Sequence, residues 1–307
     1  MAEYQILLFY KYIIIENPEE LVTDQKQLWN TLGLKGRMLI AKEGINGTLE
    51  GTKENTEKYI QDLTQDPRFA DVNFKKSEGT GSAFPKATVK VRKEIVSSHL
   101  GERDIDPTKV TGKYLEAEGL HSWFEQGKEF YIVDMRNDYE HQVGHFENSI
   151  LPNLRNFRDL NSILPELRNL NGKPIVTVCT GGVRCEKASG FLIANGFEDV
   201  YQLHNGIVTY MEKYPNENFL GKLYVFDGRV VMGFHTDAKE HQIIGHCGKC
   251  NAISEHYVNC GNDECHLHFI CCENCLDANN KGYCSEECNL LVQKNFTKTN
   301  NAIKYAA

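Results

Sequence analysis

The stretch PIVTVCTGGVRCEKASGFLIANGF, residues 174–197, decides the fold of the middle of this chain. It begins with an apolar run typical of a strand buried in a parallel sheet, and it passes through a Gly-Gly loop into a segment with helical periodicity. Gly196 is placed to end that helix. The apolar run EFYIVDMR at residues 129–136 precedes it, and DVYQL at residues 199–203 follows. This alternation predicts a parallel sheet with helices on both faces.

Cys179 stands where the predicted strand ends and the loop begins. Backbone N–H groups and the dipole at a helix N-terminus stabilise an anion, so this position favours a thiolate. Gly181 and Gly182 let the backbone curl with its amides inward, and Arg184 adds a fixed positive charge. A buried strand-end cysteine before an ordinary turn is the alternative, which the glycines and the arginine disfavour. Cys185 is either a resolving thiol or a packed helix residue.

The first hundred residues have an order close to strand, helix, strand, strand, helix, strand. The two middle strands are expected within RMLIAKEGINGTLEG at residues 37–51, joined at GING, residues 44–47. This order predicts a ferredoxin-like α+β sandwich. The remaining segments are a strand at residues 5–13, a helix at 18–34, a second helix at 52–69, a strand region at 71–79 and an alternating strand at 87–96.

The last part of the chain is rich in cysteine. GKLYVFDGRVVMGF, residues 221–234, predicts a hairpin that turns at Asp227 and Gly228. Beyond it, nine of the eleven cysteines fall between Cys247 and Cys288. Hydrophobic periodicity is weak here, so we expect metal ligation to substitute for a core. The tail from residue 290 is expected to be helical at first and frayed at its end.

Eight of these cysteines form close pairs, and four pairs suffice for two tetrahedral zinc sites of four thiolates each. The pairs are Cys247 with Cys250, Cys260 with Cys265, Cys272 with Cys275, and Cys284 with Cys288. Interleaving the first pair with the third and the second with the fourth is one partition, and sequential pairing is the other. Four thiolates leave no open position, so both ions would be structural. Disulfides would need an oxidising compartment.

Four histidines of this segment could replace a cysteine at one position, although surface or packing roles suit them better. They are His246, His256, His266 and His268.

The chain has 307 residues, of which 41% are hydrophobic and 25% charged, and its formal net charge is -8. This length predicts more than one domain. The negative net charge argues against a protein that binds nucleic acid over its whole surface, but it is compatible with a local basic face. An apolar N-terminal stretch is interrupted by Lys11, with no basic leader, and no run is long enough to cross a membrane. We expect a cytoplasmic protein without a membrane partner.

A local concentration of positive charge lies near the end of the first hundred residues. Strand-face lysines that are simply solvated and contacts to RNA phosphates are equally compatible with it. Lys249 and Lys281 are weaker candidates in the cysteine-rich part. The basic residues are Lys75, Lys76, Lys86, Lys90, Arg92 and Lys93.

Residues 110–215 resemble the rhodanese family. IVDMRNDYEHQVGHFENSI is similar to that family's D-x-R…E…GH stretch, and CTGGVRCEKASGFLIANGFEDVYQLHNGI to its active loop and glycine signature. The resemblance implies that Cys179 can carry a persulfide and that Asp134 and Arg136 belong to the catalytic machinery. The implied active loop comprises Thr180, Gly181, Gly182, Val183, Arg184 and Cys185.

Two details refine this resemblance. Four residues separate Cys179 from Arg184, which fits the short sulfur-sized loop and disfavours the longer loop of related phosphatases. Asn205-Gly206 stands where a Gly-Gly pair is common, a change in a turn that need not affect chemistry.

Nearly the whole chain resembles the rhodanese-containing tRNA uridine hydroxylase family. The resemblance implies oxygen-dependent formation of 5-hydroxyuridine at tRNA position 34 through the loop cysteine, Cys179, with molecular oxygen as co-substrate and tRNA as partner. It also favours RNA contact by the basic residues. The family usually has an apolar residue at the position of Cys271, which implies that this cysteine binds no metal. No flavin or nicotinamide fingerprint is present. The motifs are AKEGINGTL, CTGGVRCEK, GKLYVFDGRV and HYVNCGNDEC.

The sequence therefore predicts an α/β multidomain enzyme. We expect a ferredoxin-like domain at residues 1–98 that binds RNA, a rhodanese domain at 99–220, and the hairpin, zinc module and tail at 221–307. A sulfurtransferase that moves sulfane sulfur through a Cys179 persulfide is the alternative function, although it would need neither flanking domain. A non-catalytic scaffold is disfavoured by the intact loop.

Overall fold

A computed structural model describes residues 3–265 and 267–294. The expected helix in the tail is present over residues 286–294, whereas the predicted frayed end at 295–307 lies outside the described residues, as does His266. Within the described ranges, no helix combines the length and the apolar character needed to cross a membrane.

The first part of the chain is a five-stranded sheet with two helices. Its elements are β1 (Tyr4–Tyr12), α1 (Pro18–Thr31), β2 (Lys35–Ala41), β3 (Gly44–Thr52), α2 (Lys53–Thr64), β4 (Lys75–Gly79) and β5 (Ala87–Val91). The strand order is β4-β1-β3-β2-β5, with β5 parallel to β2 and the other neighbours antiparallel. The first four strands and two helices confirm the ferredoxin-like prediction, and β5 extends the sheet at one edge. Fully buried Phe9, Trp29 and Tyr59 form the centre of the core on the helical face.

The turn between β2 and β3 differs from the prediction. The strands are joined at Lys42 and Glu43, and GING lies inside β3. A Cβ on Gly44 would lie 2.0 Å from the carbonyl oxygen of Lys11. Gly44 therefore permits the close approach of β3 to β1, and the glycine-rich pattern reflects this approach and not a reversal of the chain.

The second helix is also shorter than predicted. The Thr52 side chain accepts the N–H of Asn55 at 3.3 Å and begins α2, which ends at Thr64. A separate 3-10 turn, Pro67–Phe69, completes the segment that we expected to be one helix. Pro67 has no N–H and cannot continue an α-helix, which explains the break.

The middle of the chain contains a parallel sheet in the order β6-β10-β9-β7. This confirms the rhodanese-like α/β prediction. Buried residues around Phe191 pack on one face of the sheet, and residues around Tyr210 pack on the other. The elements are β6 (Lys113–Leu115), α3 (Ala117–Glu125), β7 (Tyr131–Asp134), α4 (Asp138–His141), β8 (Gly144–Phe146), α5 (Leu164–Leu167), β9 (Ile175–Val178), α6 (Val183–Ala194), β10 (Val200–Leu203) and α7 (Gly206–Lys213).

The remaining strands are short and join the parts of the molecule. They are β11 (Phe219–Gly221), β12 (Leu223–Tyr224), β13 (Val231–Met232), β14 (Tyr257–Asn259) and β15 (His268–Ile270). β11 pairs with β8, and β12 and β13 form the predicted hairpin. At its tip, Gly228 donates its N–H to the carbonyl oxygen of Ala83 at 2.8 Å, and Arg229 donates to the Ser77 hydroxyl at 3.0 Å. The hairpin therefore holds the first domain against the rest of the chain.

Candidate active site

Cys179 lies directly after β9, and its side chain is completely buried. Gly182 has a φ of +99°, a conformation that L side chains rarely adopt, and it begins α6. This geometry brings the Gly182 N–H to 3.3 Å from Sγ of Cys179. The sulfur therefore sits at the N-terminus of α6, as the sequence predicts.

The two loop cysteines differ in ionisation. Burial raises the pKa of Cys179, but the Cys185 thiol, the Arg184 charge and the backbone N–H groups of both residues together lower it to about 6. Burial and the neighbouring Cys179 sulfur raise the pKa of Cys185 well above its usual value. At neutral pH, Cys179 is therefore a thiolate, and Cys185 is a thiol that donates a hydrogen bond to it.

Arg184 is fixed by a carboxylate. Its guanidinium donates to Oε2 of Glu140 at 2.8 Å and to the Thr180 hydroxyl at 3.3 Å. Glu140 is fully buried on α4, where its other oxygen accepts the N–H of Asn137 at 2.9 Å. Arg184 thus acts on Cys179 from a fixed position. Glu140 is the glutamate of the D-x-R…E…GH stretch, to which sequence reasoning assigned no role, and its place three residues after Asn137 is typical of a capping box.

Asp134 and Arg136 form a separate buried pair. Arg136 Nη2 donates to Asp134 at 2.6 Å and to the carbonyl oxygen of Gly144 at 2.7 Å. Burial raises the pKa of Asp134, but the Arg136 charge outweighs this and lowers it. Among the described residues, no hydrogen bond joins this pair to the side chains of the Cys179 loop. Met135 instead donates its N–H to the carbonyl oxygen of Val178 at 2.8 Å, so the pair reaches the loop through the ends of β7 and β9.

Strand β1 of the first domain covers the loop. A Cβ on Gly181 would lie 2.7 Å from Leu8, and one on Gly182 would lie 2.9 Å from the Tyr10 hydroxyl. Tyr12 donates its hydroxyl to the carbonyl oxygen of Val183 at 3.2 Å. The two glycines therefore serve the close contact between domains as well as the conformation of the loop.

Glu186 connects the covering strand to the rhodanese-like sheet. Its carboxylate accepts the hydroxyls of Tyr10 at 3.0 Å and Tyr114 at 3.1 Å, and the side-chain amide of Gln202 at 3.1 Å. Glu186 is only 6% exposed. Sequence reasoning did not identify it, because its partners lie far away along the chain.

A cleft of about 250 Å³ opens between the two domains next to this network. Lys75 lies in its wall with Nζ 5.0 Å from the centre of the Tyr10 ring. Aromatic side chains contribute much of the remaining surface. The lining residues include Tyr10, Tyr12, Lys75, Tyr114, Glu186, His204 and Asn205.

The other predicted basic residues do not gather at this cleft. Lys76, next to Lys75, pairs with Glu57 at 2.5 Å. Lys86, Lys90, Arg92 and Lys93 are exposed at or near β5, which is the opposite edge of the sheet from β4. The register places Lys90 beside Leu39, Asn46 and Tyr10, on the face that covers the loop.

Lys187 lies fully buried at the domain boundary. Its Nζ is 2.8 Å from Glu43, 3.1 Å from Glu94 and 2.9 Å from Asp104. Glu43 occupies the turn between β2 and β3, so Lys187 joins that turn and the interdomain segment to helix α6. This three-carboxylate cluster was not predicted.

The cysteine pairs assemble into two clusters. Cys247 and Cys250 meet Cys272 and Cys275, and within each cluster all four sulfur atoms lie within 4.8 Å of one another. The second cluster consists of Cys260, Cys265, Cys284 and Cys288. This is the interleaved partition.

The sulfur spacing fits zinc. Tetrahedral ligation at Zn–S distances of about 2.3 Å requires sulfurs roughly 3.8 Å apart. Cys250 and Cys272 are 3.5 Å apart, and Cys265 and Cys284 are 3.6 Å apart. Cys271 is buried and belongs to neither cluster, nor do the described histidines of this segment. His256, for example, donates to the carbonyl oxygen of Cys271 at 3.0 Å.

Three family models match the chain in succession. Residues 4–95 match the UPF0176 acylphosphatase like domain, residues 116–213 the Rhodanese-like domain, and residues 220–289 the Rhodanase C-terminal region.

Curated relatives match over almost the full length. The tRNA uridine(34) hydroxylase of Bacillus cytotoxicus is 46% identical over 298 residues, covering 96% of this chain and 90% of its own. That of Bacillus licheniformis is 44% identical over 299 residues, covering 96% and 91%. A solved rhodanese-like domain protein from Staphylococcus aureus is 28% identical and covers 32% of this chain and 90% of its own, with a TM-score of 0.28, which is too low to support an argument.

Proposed function

Because the chain belongs to the tRNA uridine(34) hydroxylase family, we propose that it hydroxylates uridine 34 of tRNA, with Cys179 as the reactive thiolate. The observation that carries this proposal is a lowered thiol pKa inside an intact rhodanese-like loop, in a chain that matches the family from end to end. The product would be 5-hydroxyuridine, and molecular oxygen would be the co-substrate.

The thiolate supplies a route to the unreactive C5 position of uracil. Addition of Sγ of Cys179 to C6 of the ring would place electron density on C5, where the new oxygen is attached. Arg184, held by Glu140, and Cys185 would keep the sulfur ionised for this attack. Asp134 and Arg136 would act as positioning residues that fix the strand ends below the loop.

The cleft suits an unstacked base. Enzymes that act on a base take it out of the stack and hold it against aromatic side chains. Tyr10, Tyr114 and His204 offer such surfaces beside the Cys179 loop. Lys90 on β5 and Arg92 directly after this strand are exposed, and they would contact phosphates of the same tRNA as it crosses the sheet. An enzyme of tRNA would work in the cytoplasm.

Two structural zinc ions are proposed for the cysteine clusters. Each ion would be held by four thiolates and would contribute folding free energy to a segment with few apolar residues. Zinc would take no part in the reaction, because four protein ligands leave no position for substrate.

A sulfurtransferase is the second candidate, because residues 116–213 match the Rhodanese-like domain model. In that reaction, the Cys179 thiolate would accept a sulfane sulfur as a persulfide.

The test is nucleoside mass spectrometry of tRNA from cells that lack this protein, complemented with wild type, Cys179→Ala or, as a surface control, Lys58→Met. We expect loss of hydroxylated uridine 34, restored by wild type and by the surface control but not by Cys179→Ala. Unchanged hydroxylation together with a fall in thiolated nucleosides would refute the hydroxylase and support the sulfurtransferase.

A further inference from the structure

Lys75 faces the active loop from the edge strand β4. The register pairs Lys75 with Leu8, so both side chains lie on the sheet face that covers the loop. Leu8 contacts Gly181 there, and the Lys75 ammonium lies against the Tyr10 ring at 5.0 Å. Lys75 therefore stands in the wall of the cleft through which a base would approach Cys179.

Lys75 differs from its neighbours in having no carboxylate partner. Lys76 pairs with Glu57, and Lys11 pairs with Asp71. In the described part of the chain, no ion pair or hydrogen bond engages the Lys75 ammonium. The side chain is half-buried, and its ammonium meets the Tyr10 ring but no anion, so this position offers a positive charge to an anion that enters the cleft.

Two negative groups lie close enough to act on this charge. Burial lowers the pKa of Lys75 to about 8, while Cys179 and Glu186 partly oppose that effect. The Glu186 carboxylate already accepts hydrogen bonds from Tyr10, Tyr114 and other side chains. Glu186 therefore keeps its charge, whereas the negative charge of the Cys179 thiolate moves to the substrate when the sulfur attacks.

We propose that Lys75 is a catalytic residue that stabilises the negative charge formed on O4 of the uracil ring when Cys179 attacks. This inference rests on the proposed function. The sulfur lone pair forms the S–C6 bond, the C5=C6 pair moves to C4–C5, and the carbonyl pair moves onto O4. The charge leaves the sulfur and appears on O4, where the Lys75 ammonium donates a hydrogen bond. No proton or oxidant is consumed in this step.

The experiment follows the addition of Cys179 to the uracil ring in the absence of oxygen, so that the later oxidation of the ring does not occur. An anticodon stem-loop RNA with 5-fluorouridine at position 34 is mixed anaerobically with excess full-length enzyme, and the covalent adduct is followed on denaturing gels. For Lys75→Met, we expect the adduct rate at saturating enzyme to fall about 100-fold, as on removal of an oxyanion donor, with Kd for the RNA within about threefold. Lys75→Arg restores much of the rate.

The matched control is Lys58→Met, which removes an exposed lysine of α2 on the opposite face of the sheet and keeps the wild-type rate. Thermal melting of each variant shows that it is folded. A wild-type adduct rate in Lys75→Met refutes the role of Lys75 alone. Weaker binding of Lys75→Met with an unchanged saturating rate also refutes it, since it identifies a phosphate contact. No adduct with wild type contradicts both the attack by Cys179 and the role of Lys75.

The pH dependence of the adduct rate separates an effect of the Lys75 charge from a purely structural role of this side chain. The rate should rise as Cys179 ionises near pH 6 and fall as Lys75 loses its proton near pH 8. Other ionisable groups facing the cleft are Tyr10, Tyr12, Tyr114, Glu186, His204 and the Lys11–Asp71 pair. Arginine stays protonated, so Lys75→Arg should abolish the fall above pH 8. A fall that persists in Lys75→Arg assigns it to another group and overturns the proposal.

Discussion

At the scale of single residues, Cys179 and Cys185 show how position decides the state of one kind of side chain. Both are completely buried, yet the pKa of one is lowered and that of the other is raised. Cys179 gains the N–H groups at the start of α6, whereas Cys185 lies inside the helix beside an anion. The sequence leaves the role of Cys185 open between a resolving thiol and a packing residue, and from the opposite pKa shifts we infer a hydrogen-bond donor to the thiolate.

Replacement of Cys185 by alanine should therefore make Cys179 less acidic. Loss of a hydrogen bond worth about 1 kcal/mol corresponds to a rise of roughly 0.7 units in the pKa of Cys179. The measurement is the pH dependence of covalent adduct formation with the 5-fluorouridine RNA, whose acidic midpoint reports the ionisation of Cys179. Cys185→Ser, which keeps a donor, serves as the control and should show a smaller rise. An unchanged midpoint in Cys185→Ala would contradict the donor role.

At the scale of elements, sequence patterns correctly predicted the helices and strands that depend on neighbouring residues. The apolar run before Cys179 and the periodicity up to Ala194 gave strand, loop and helix correctly. The turn at Lys42 and Glu43 was misplaced because Gly44 serves a contact with another strand. Glu186 and Lys75 were not recognised as neighbours of the loop for the same reason, since their contacts join distant parts of the chain.

The two cysteine clusters bring four pairs of cysteines together in a segment with weak hydrophobic periodicity. We expect two zinc ions per chain by inductively coupled plasma mass spectrometry. The double variant Cys247→Ser with Cys250→Ser should retain one ion and become sensitive to protease near β14 and β15, because each cluster takes two pairs. Cys271→Ser, altered at a cysteine outside both clusters, should keep two ions. Loss of an ion from Cys271→Ser would show that the ligand assignment is wrong.

At the scale of the whole molecule, the first domain is joined to the rhodanese-like domain by charge as well as by packing. Burial lowers the pKa of Lys187, but Asp104 and Glu43 outweigh this and raise it. A single buried ammonium therefore neutralises part of a cluster of three carboxylates, contributed by the β2–β3 turn and the interdomain segment.

Lys187→Met should destabilise the protein by roughly 2–3 kcal/mol at pH 7, because it leaves three carboxylates facing an apolar side chain. The value is set below that of a fully buried pair, since the carboxylates are 17–32% exposed. Urea unfolding measures it. The deficit should shrink as the pH falls and Glu43, whose pKa is raised by burial, takes up a proton. Lys113→Met, at an exposed pair with Asp199, is the control and should destabilise the protein much less. Equal losses of stability in Lys187→Met and Lys113→Met would contradict the role of Lys187 in joining the two domains.

The contact of β1 with the active loop has a consequence for the survival of the enzyme in an oxidising cell. An ionised thiol is the form that peroxides convert to sulfenic acid and beyond, and damage of this kind is largely irreversible past the first step. Leu8 and Tyr10 lie over the loop, and Cys179 has no exposed surface. The arrangement keeps a reactive sulfur out of reach of small diffusing oxidants between turnovers. In the proposed reaction, such damage would be confined to the moments when bound RNA gives access to the thiolate.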